Sequence, residues 1–160
     1  MRNRTSVVAV LGLLTLFALL AYVAWPVPRP YLRRVPLTIE TVGGPVHLTV
    51  ELASTAREQE QGLMYRQRLA ADSGMLFDLH SDQRVALWMK NTLIPLDLIF
   101  IKSDGTISAI AANAKPLSLK PVRSRERVRA VLEISGGRSA ELGLKPGNQV
   151  LSEIFGNAQH

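Results

Sequence analysis

The polar residues with the most chemical promise gather around one run, Trp88-Met89-Lys90-Asn91-Thr92-Leu93-Ile94-Pro95-Leu96-Asp97, with Arg66 upstream and Glu133 downstream. Two carboxylates, Asp97 and Glu133, with Lys90 and Arg66 to stabilise charge, are the ingredients of general acid–base catalysis. In a glycoside-cleaving arrangement the two carboxyl groups would lie roughly 5–10 Å apart. The same side chains also suit a binding pocket. Trp88 would supply an apolar or stacking wall, Arg66 and Lys90 would hold an anionic or polyhydroxyl ligand, and Asn91 would orient it. Asp97 shares a strand face with Ile99 and Ile101, where a carboxylate is costly unless paired or hydrogen-bonded. Its candidate partners are Lys90, Arg66 and the backbone N–H groups of the Asn91–Pro95 connection, in which Pro95 holds Ile94 extended. Glu133 shares the less apolar face of its strand with Arg129 and Val131, and there it either pairs with a base or faces solvent. In a third reading the run simply builds the core of a structural interaction module. The residues alone do not choose between binding, catalysis and structure.

Other chemistries are excluded more firmly. The chain has no cysteine, so disulfide scaffolds, iron–sulfur clusters, cysteine nucleophiles and Cys-type zinc sites drop out. His47, His80 and His160 lack metal-ligand spacing, and Met64, Met75 and Met89 are expected to pack in the core, so no metal is expected. No P-loop, G-x-G-x-x-G, H-E-x-x-H or G-x-S-x-G is present, and no cofactor is expected. The net charge of +6 is unevenly placed: residues 1–34 hold five arginines and no acid, leaving fourteen bases and thirteen acids beyond them. That near-balance argues against a nucleic-acid-binding domain. The stretch 115–129 does carry Lys115, Lys120, Arg123, Arg125, Arg127 and Arg129 against Glu126 alone. Pro116 and Pro121 make it irregular, and no aromatic residue interleaves for base stacking. It reads as a solvated loop or as a basic lip that attracts anionic ligands or a membrane surface.

These side chains must be positioned by short strands separated by turn signals. Leu37–Val42 and Val46–Leu52 flank Gly43-Gly44-Pro45 as a hairpin. In the second run Val46, Leu48, Val50 and Leu52 alternate with polar residues, which puts His47 on the solvated face. Thr55-Ala56-Arg57-Glu58 fits a capping box that opens a helix to about Gln61, ended by Gly62. Gly74–Leu79 is a strand, 80–83 a turn, and Val85–Lys90 a returning strand. Leu96–Ile101 is apolar on both faces apart from Asp97. Ser103-Asp104-Gly105 turns the chain into Thr106–Ala112. Val128–Ile134 follows, then a helical turn at Arg138–Leu142 closed by Gly143, and a last strand near Val150–Ile154. About eight strands and two short helices result. The expected fold is mainly β, a small closed barrel or two-sheet sandwich with one or two short helices, because closure removes exposed edges.

An N-terminal segment precedes this domain. Val7–Trp25 is uncharged and, as a helix, would span about 28 Å, close to a bilayer's hydrocarbon core. No small-x-small cleavage site ends it, and Tyr22 and Trp25 lie where an interfacial aromatic belt would form. We read residues 1–25 as a signal anchor with a transmembrane helix, 26–36 as a Pro- and Arg-rich linker, and 37–160 as one β-rich soluble domain. Basic residues flank both ends of the apolar run. The short N-terminus and signal-like order place the domain outside the cytoplasm, with a secreted or periplasmic form after signal cleavage as the alternative. The sequence sets no oligomeric state.

Several separated blocks together resemble a known family. Val50-Glu51-Leu52-Ala53-x-Thr55, Gly62-Leu63-Met64-x-Arg66 and Gly74-Met75-Leu76-Phe77 precede the Trp88–Asp97 run, and Val131-Leu132-Glu133 with Gly136-Gly137 follow it. In this order they resemble the family called domain of unknown function 192, over about residues 37–154. The resemblance implies a small, mainly-β domain, often behind a membrane or export segment, and no established activity. Its polar positions fall on Arg57, Arg66, Lys90, Asn91, Thr92, Asp97 and Glu133. At Asn148 members often carry aspartate, which removes an ionised role there. The expected protein is a membrane-anchored extracytoplasmic domain, a small-ligand-binding or accessory module of the cell envelope. The alternatives are an envelope carbohydrate- or small-molecule-acting enzyme and a purely structural module.

Overall fold

A computed structural model of the protein describes residues 32–158. The expected anchor and most of the linker lie outside the described residues. Within them, no helix is long and apolar enough to cross a membrane.

The domain is mainly β. Strands β1 (Arg34–Thr41) and β2 (Gly44–Ala53) form the expected hairpin, with Thr41 opposite Gly44 across a two-residue turn. The capping box is present: Thr55 accepts from the Glu58 N–H, and the Glu58 carboxylate accepts from the Thr55 N–H at 2.8 Å. Helix α1 (Ala56–Gln61) follows and ends at Gly62, whose φ of 46° lies in the left-handed region. This helix carries the chain over to β3 (Ser73–Gln83), which pairs with β2 in parallel. Short β4 (Ala86–Leu87) is followed by β5 (Leu96–Ile101), β6 (Ile107–Ala114), short β7 (Val122–Arg123) and β8 (Val128–Ser135). Helix α2 (Arg138–Glu141), β9 (Gln149–Leu151) and a 3₁₀ turn at Glu153–Phe155 complete the described chain.

Two strand expectations are corrected. The segment 80–83 continues β3 through a bulge at His80 (φ 60°), where the register with β8 shifts between Asp78 and Gln83. Val85–Lys90 is not a strand returning along β3. Only Ala86–Leu87 pairs, with Val122 and Arg123 of β7, and the chain from Trp88 onward is loop. The backbone of the Trp88 run satisfies itself against a second loop instead: the Met89 N–H donates to the Ser118 carbonyl at 3.0 Å and the Leu117 N–H to the Thr92 carbonyl at 3.1 Å.

Seven strands form one sheet in the order β6-β5-β8-β3-β2-β1-β9. The sheet curls into a half-barrel, in place of the expected closed barrel or two-sheet sandwich. Its edge strands meet at one end, where Thr106 bridges Gln149 and the Ile107 N–H donates to the Asn148 carbonyl at 2.9 Å. The concave face gathers Leu37, Ile39, Val50, Leu76, Ile99, Leu132 and Val150, drawn from strands across the whole sheet. The convex face of β3, β5 and β8 carries Met75, Phe77, Leu98, Phe100 and Val131 under Leu63 and Met89. All six residues of β5 are buried, which explains its apolar run: it packs on both faces. His47 is exposed on β2, as the alternation requires.

The meeting of the edges depends on Gly105. Its φ is +84°, its carbonyl accepts from the Val150 N–H at 2.9 Å, and an added Cβ would lie 2.5 Å from the Val150 carbonyl oxygen. Gly105→Ala should therefore cost about 2 kcal/mol or more. Thermal unfolding followed by circular dichroism checks this. A melting temperature equal to that of the unaltered protein would show that the seam is not under this constraint.

Candidate functional site

Asp97 is fully buried on the concave face of β5. Its carboxylate accepts four hydrogen bonds: from the Asn113 N–H at 2.8 Å, the Gly137 N–H at 2.9 Å, the Ser139 N–H at 2.8 Å and the Ser139 hydroxyl at 2.6 Å. Neither Lys90 nor Arg66 touches it, and the donors belong to β6 and the start of α2 in place of the Asn91–Pro95 connection. Burial alone would push the carboxyl up. The bonds from Ser139, Asn113 and Gly137 outweigh that and hold it below its ordinary value. Asp97 is thus a structural anion whose bonding capacity is filled.

Glu133 has the opposite fate. Leu98 stands opposite Glu133 and Asp97 opposite Ile134 across the β5–β8 pair. Successive side chains alternate between faces, so Glu133 projects from the convex face, away from Asp97. The expected Asp97–Glu133 acid–base pair does not form. Arg129 does not reach Glu133 either; it pairs with Asp78, which also accepts from the His80 N–H at 2.7 Å. Burial pushes Asp78 up, and Arg129, His80 and their charges bring it below its usual range.

Glu133 is 6 % exposed, and no described residue hydrogen-bonds or ion-pairs with its carboxyl. Burial pushes it up to about 8. The carboxyl opens into a groove of about 320 Å³ between α1, the β4 segment and the sheet. That volume is at the small end of the range for small-molecule sites, about 300–1,000 Å³. Leu63, Met64, Phe77, Leu87 and Trp88 supply apolar walls, and Gln59, Gln61, Glu60 and Thr92 supply polar groups.

Local structure fixes this lining. Gln59 ties α1 to the sheet by donating to the Ala53 carbonyl at 3.2 Å and the Asp78 carbonyl at 2.6 Å. Gly62 lets the helix end pass close over Phe77, whose ring edge would lie 3.2 Å from an added Cβ. On the other wall, Asn91 adopts φ 56°, and its carbonyl accepts from the Tyr65 N–H at 2.7 Å. Thr92, 5 % exposed, is held by its N–H bond to the Met89 carbonyl at 3.1 Å.

Among the residues singled out from sequence, Trp88, Thr92 and Glu133 therefore converge on one groove. Lys90 sits at its rim, with Nζ 5.2 Å from the centroid of the exposed Trp88 ring. Asn91 shapes the loop, and its amide lies against the Met64 sulfur at 3.8 Å. Arg66 is engaged elsewhere in a two-pronged ion pair with Glu51. Gln59, Leu63, Met64, Phe77 and Leu87 were not visible as site residues in the sequence. The signals that marked them were structural ones: the capping box, Gly62 and the apolar face of β3. Among the described residues no cluster of three or more His, Asp or Glu is placed to hold a metal ion.

The sequence that builds this half-barrel and its capped helix matches a known family. Residues 38–152 match domain of unknown function 192, described as an uncharacterised ACR, and the chain belongs to that family. The fold is similar to that of a proposed transcription regulator from Sinorhizobium meliloti 1021. The two are 43% identical, with a TM-score of 0.77, over 79% of this chain and 99% of that one. A protein of unknown function from Novosphingobium aromaticivorans DSM 12444 is similar at 42% identity and a TM-score of 0.73, over 79% of this chain and 92% of that one. No curated protein matches the chain.

Three outcomes follow from these side chains. Asp97→Ala leaves three N–H groups and a hydroxyl without an acceptor, those of Ser139 buried, and should cost about 3 kcal/mol in urea unfolding. Lys90→Ala should change stability little, because its ammonium is exposed. For Glu133 the folded value of about 8 lies above the ordinary 4.5. Between these values the folded protein keeps a proton that the unfolded chain releases. Stability is then greatest below the lower value and falls as pH rises toward the upper one, by a few kcal/mol in total. Glu133→Gln, a neutral isostere, should remove this fall. Its melting temperature should match that of the parent near about pH 5 and exceed it above about pH 8. Parallel pH profiles for the two proteins would contradict the assignment.

Proposed function

We propose that this protein is a membrane-tethered, extracytoplasmic module that binds a small polyhydroxyl ligand in the Glu133 groove. The carrying observation is the unpartnered, buried Glu133 carboxyl at the groove floor. A carboxyl raised to about 8 is protonated at neutral pH, so it both donates and accepts, as a hydroxyl ligand requires. Trp88 offers an exposed apolar ring on which a sugar face stacks, and Thr92 and Gln61 add hydrogen-bonding groups. An anionic ligand is disfavoured, because Glu60 lines the groove while no lysine or arginine does. The tether is the apolar run 7–25, and the extracytoplasmic address follows from its signal-like order. The enzyme reading loses its acid–base pair through the opposite orientation of Asp97 and Glu133. The name of the Sinorhizobium relative raises nucleic-acid binding, which the near-balanced charge of residues 35–160 does not favour.

The test is a titration of the full chain in detergent with mono- and disaccharides, read by Trp88 fluorescence in a Trp25→Phe background. Saturable binding is expected. Trp88 supplies both the signal and a wall, so its removal is assayed by calorimetry: Trp88→Ala should weaken binding more than about tenfold, or 1.4 kcal/mol. Glu133→Gln should retain most of the affinity and Glu133→Leu should lose it. A response to phosphate or carboxylic acids with none to saccharides would replace the polyhydroxyl reading by an anionic one.

A further inference from the structure

Beside the groove, two loops form a surface that shares only Trp88 with it. Residues 88–93 and 115–119 are stitched together by the Met89–Ser118 and Thr92–Leu117 backbone bonds, and β4 and β7 pair directly beneath them. Trp88, Leu93, Leu117 and Leu119 protrude from these loops with between 44% and 67% of their surface exposed. Large apolar side chains grouped at loop tips are uncommon on a solvated surface. Lys90, Lys115, Lys120 and Arg123 are interleaved with them, all exposed, and none has a carboxylate partner among the described residues. Neither stretch 85–96 nor 115–125 contains an acidic residue.

We propose that these loop tips seat the domain against an anionic lipid surface. Apolar tips that enter the headgroup boundary, ringed by unpaired cations, match the two forces that hold a protein on such a surface: burial of apolar area and attraction to acidic headgroups. The absence of any acid in either loop removes the repulsion that would oppose contact. A protein partner of general chemistry would need an acidic, apolar face of matching shape. A bilayer supplies both properties without shape, which suits four tips on two irregular loops. The apolar run 7–25 would keep such a surface within reach. This inference goes beyond the ligand of the groove and stands without it.

The chain has two tryptophans, so Trp25→Phe leaves Trp88 as the single indole. The full chain carrying that change is reconstituted in nanodiscs containing bromine-labelled lipid, either pure phosphatidylcholine or phosphatidylcholine with phosphatidylglycerol. Strong quenching and a blue shift of Trp88 are expected only with phosphatidylglycerol. Both should be reversed near about 1 M salt, where screening reduces the range of a charge to about 3 Å. Each cation contributes roughly fivefold, so changing Lys90, Lys115, Lys120 and Arg123 together to Glu should lower the docked-to-free ratio on the order of a hundredfold or more. Lys145→Glu, on a distant turn, should leave it unchanged, and unchanged melting temperatures keep the comparison free of folding effects. Should the chain not integrate, the same proteins added to vesicles of the two compositions report the same ratio as a partition coefficient. Equal quenching in both lipids, or quenching that survives charge reversal, overturns the proposal, as does its complete absence. A blue shift that grows with protein concentration at fixed lipid would assign the patch to a second copy and equally overturn it. A saccharide response that persists in the charge-reversed protein separates failure of docking from failure of the groove.

Discussion

Asp97 is the point on which the junction of β5, β6 and α2 depends. One buried carboxylate gathers the N–H groups of Asn113, Gly137 and Ser139 and the Ser139 hydroxyl. These donors come from β6, from the turn after β8 and from the first turn of α2. Two segments distant in sequence, the end of β6 and the β8–α2 junction, are thereby fixed against β5, at the end where Gly136 passes so close to Pro95 that an added Cβ would lie 2.8 Å from it. No cation is involved. A buried charge held by oriented backbone dipoles avoids the double desolvation of an ion pair, and its donors would themselves be orphaned without it. The negative charge also sits at the amino end of α2, where the N–H groups point outward and favour an anion.

The alternation of β5 and β8 then determines what the other carboxylate meets. Because Asp97 faces inward, its neighbour Leu98 faces outward, and Glu133 opposite Leu98 faces outward too. There it lies against Met75 across the sheet on its other side. An isoleucine or leucine at 133 would pack there without the desolvation that drives the carboxyl up to about 8. Local structure provides no compensation: α1, its capping box and Gln59 are all engaged with other groups. The carboxyl thus faces the groove with no protein partner.

Much of the scaffold was legible because its signals are local. The Gly43-Gly44-Pro45 hairpin, the Thr55–Glu58 capping box, Gly62 as a helix end and the doubly buried β5 each announce themselves within about ten residues. The parallel pairing of β2 with β3 was not legible, since nothing in either strand names its partner; α1 supplies the crossover that makes it. The strand expected through Val85–Lys90 failed for a related reason. Its apolar residues belong to a loop whose backbone bonds are made to Lys115–Leu119, and a loop-to-loop contact leaves no periodic trace. Asp97 was correctly marked as needing partners, yet its partners lie at 113, 137 and 139, far beyond the neighbourhood that sequence spacing searches.

The family's polar positions separate by the same physics. Arg66 and Asp97 are consumed by structure, Arg66 by Glu51 and Asp97 by its four donors, and removing Asp97 would leave those donors unsatisfied. Asn91 is consumed by conformation: its φ of 56° is one that asparagine tolerates better than most residues, and it sets the turn that presents Trp88 and Thr92. Lys90 lies over Trp88, where it limits the ring's orientation and keeps its charge in water. What structure leaves without a partner is the Glu133 carboxyl, and Trp88 and Thr92 line the same groove. In a small domain where nearly every other buried polar group is satisfied, the groups left open are the ones through which it can act on something else.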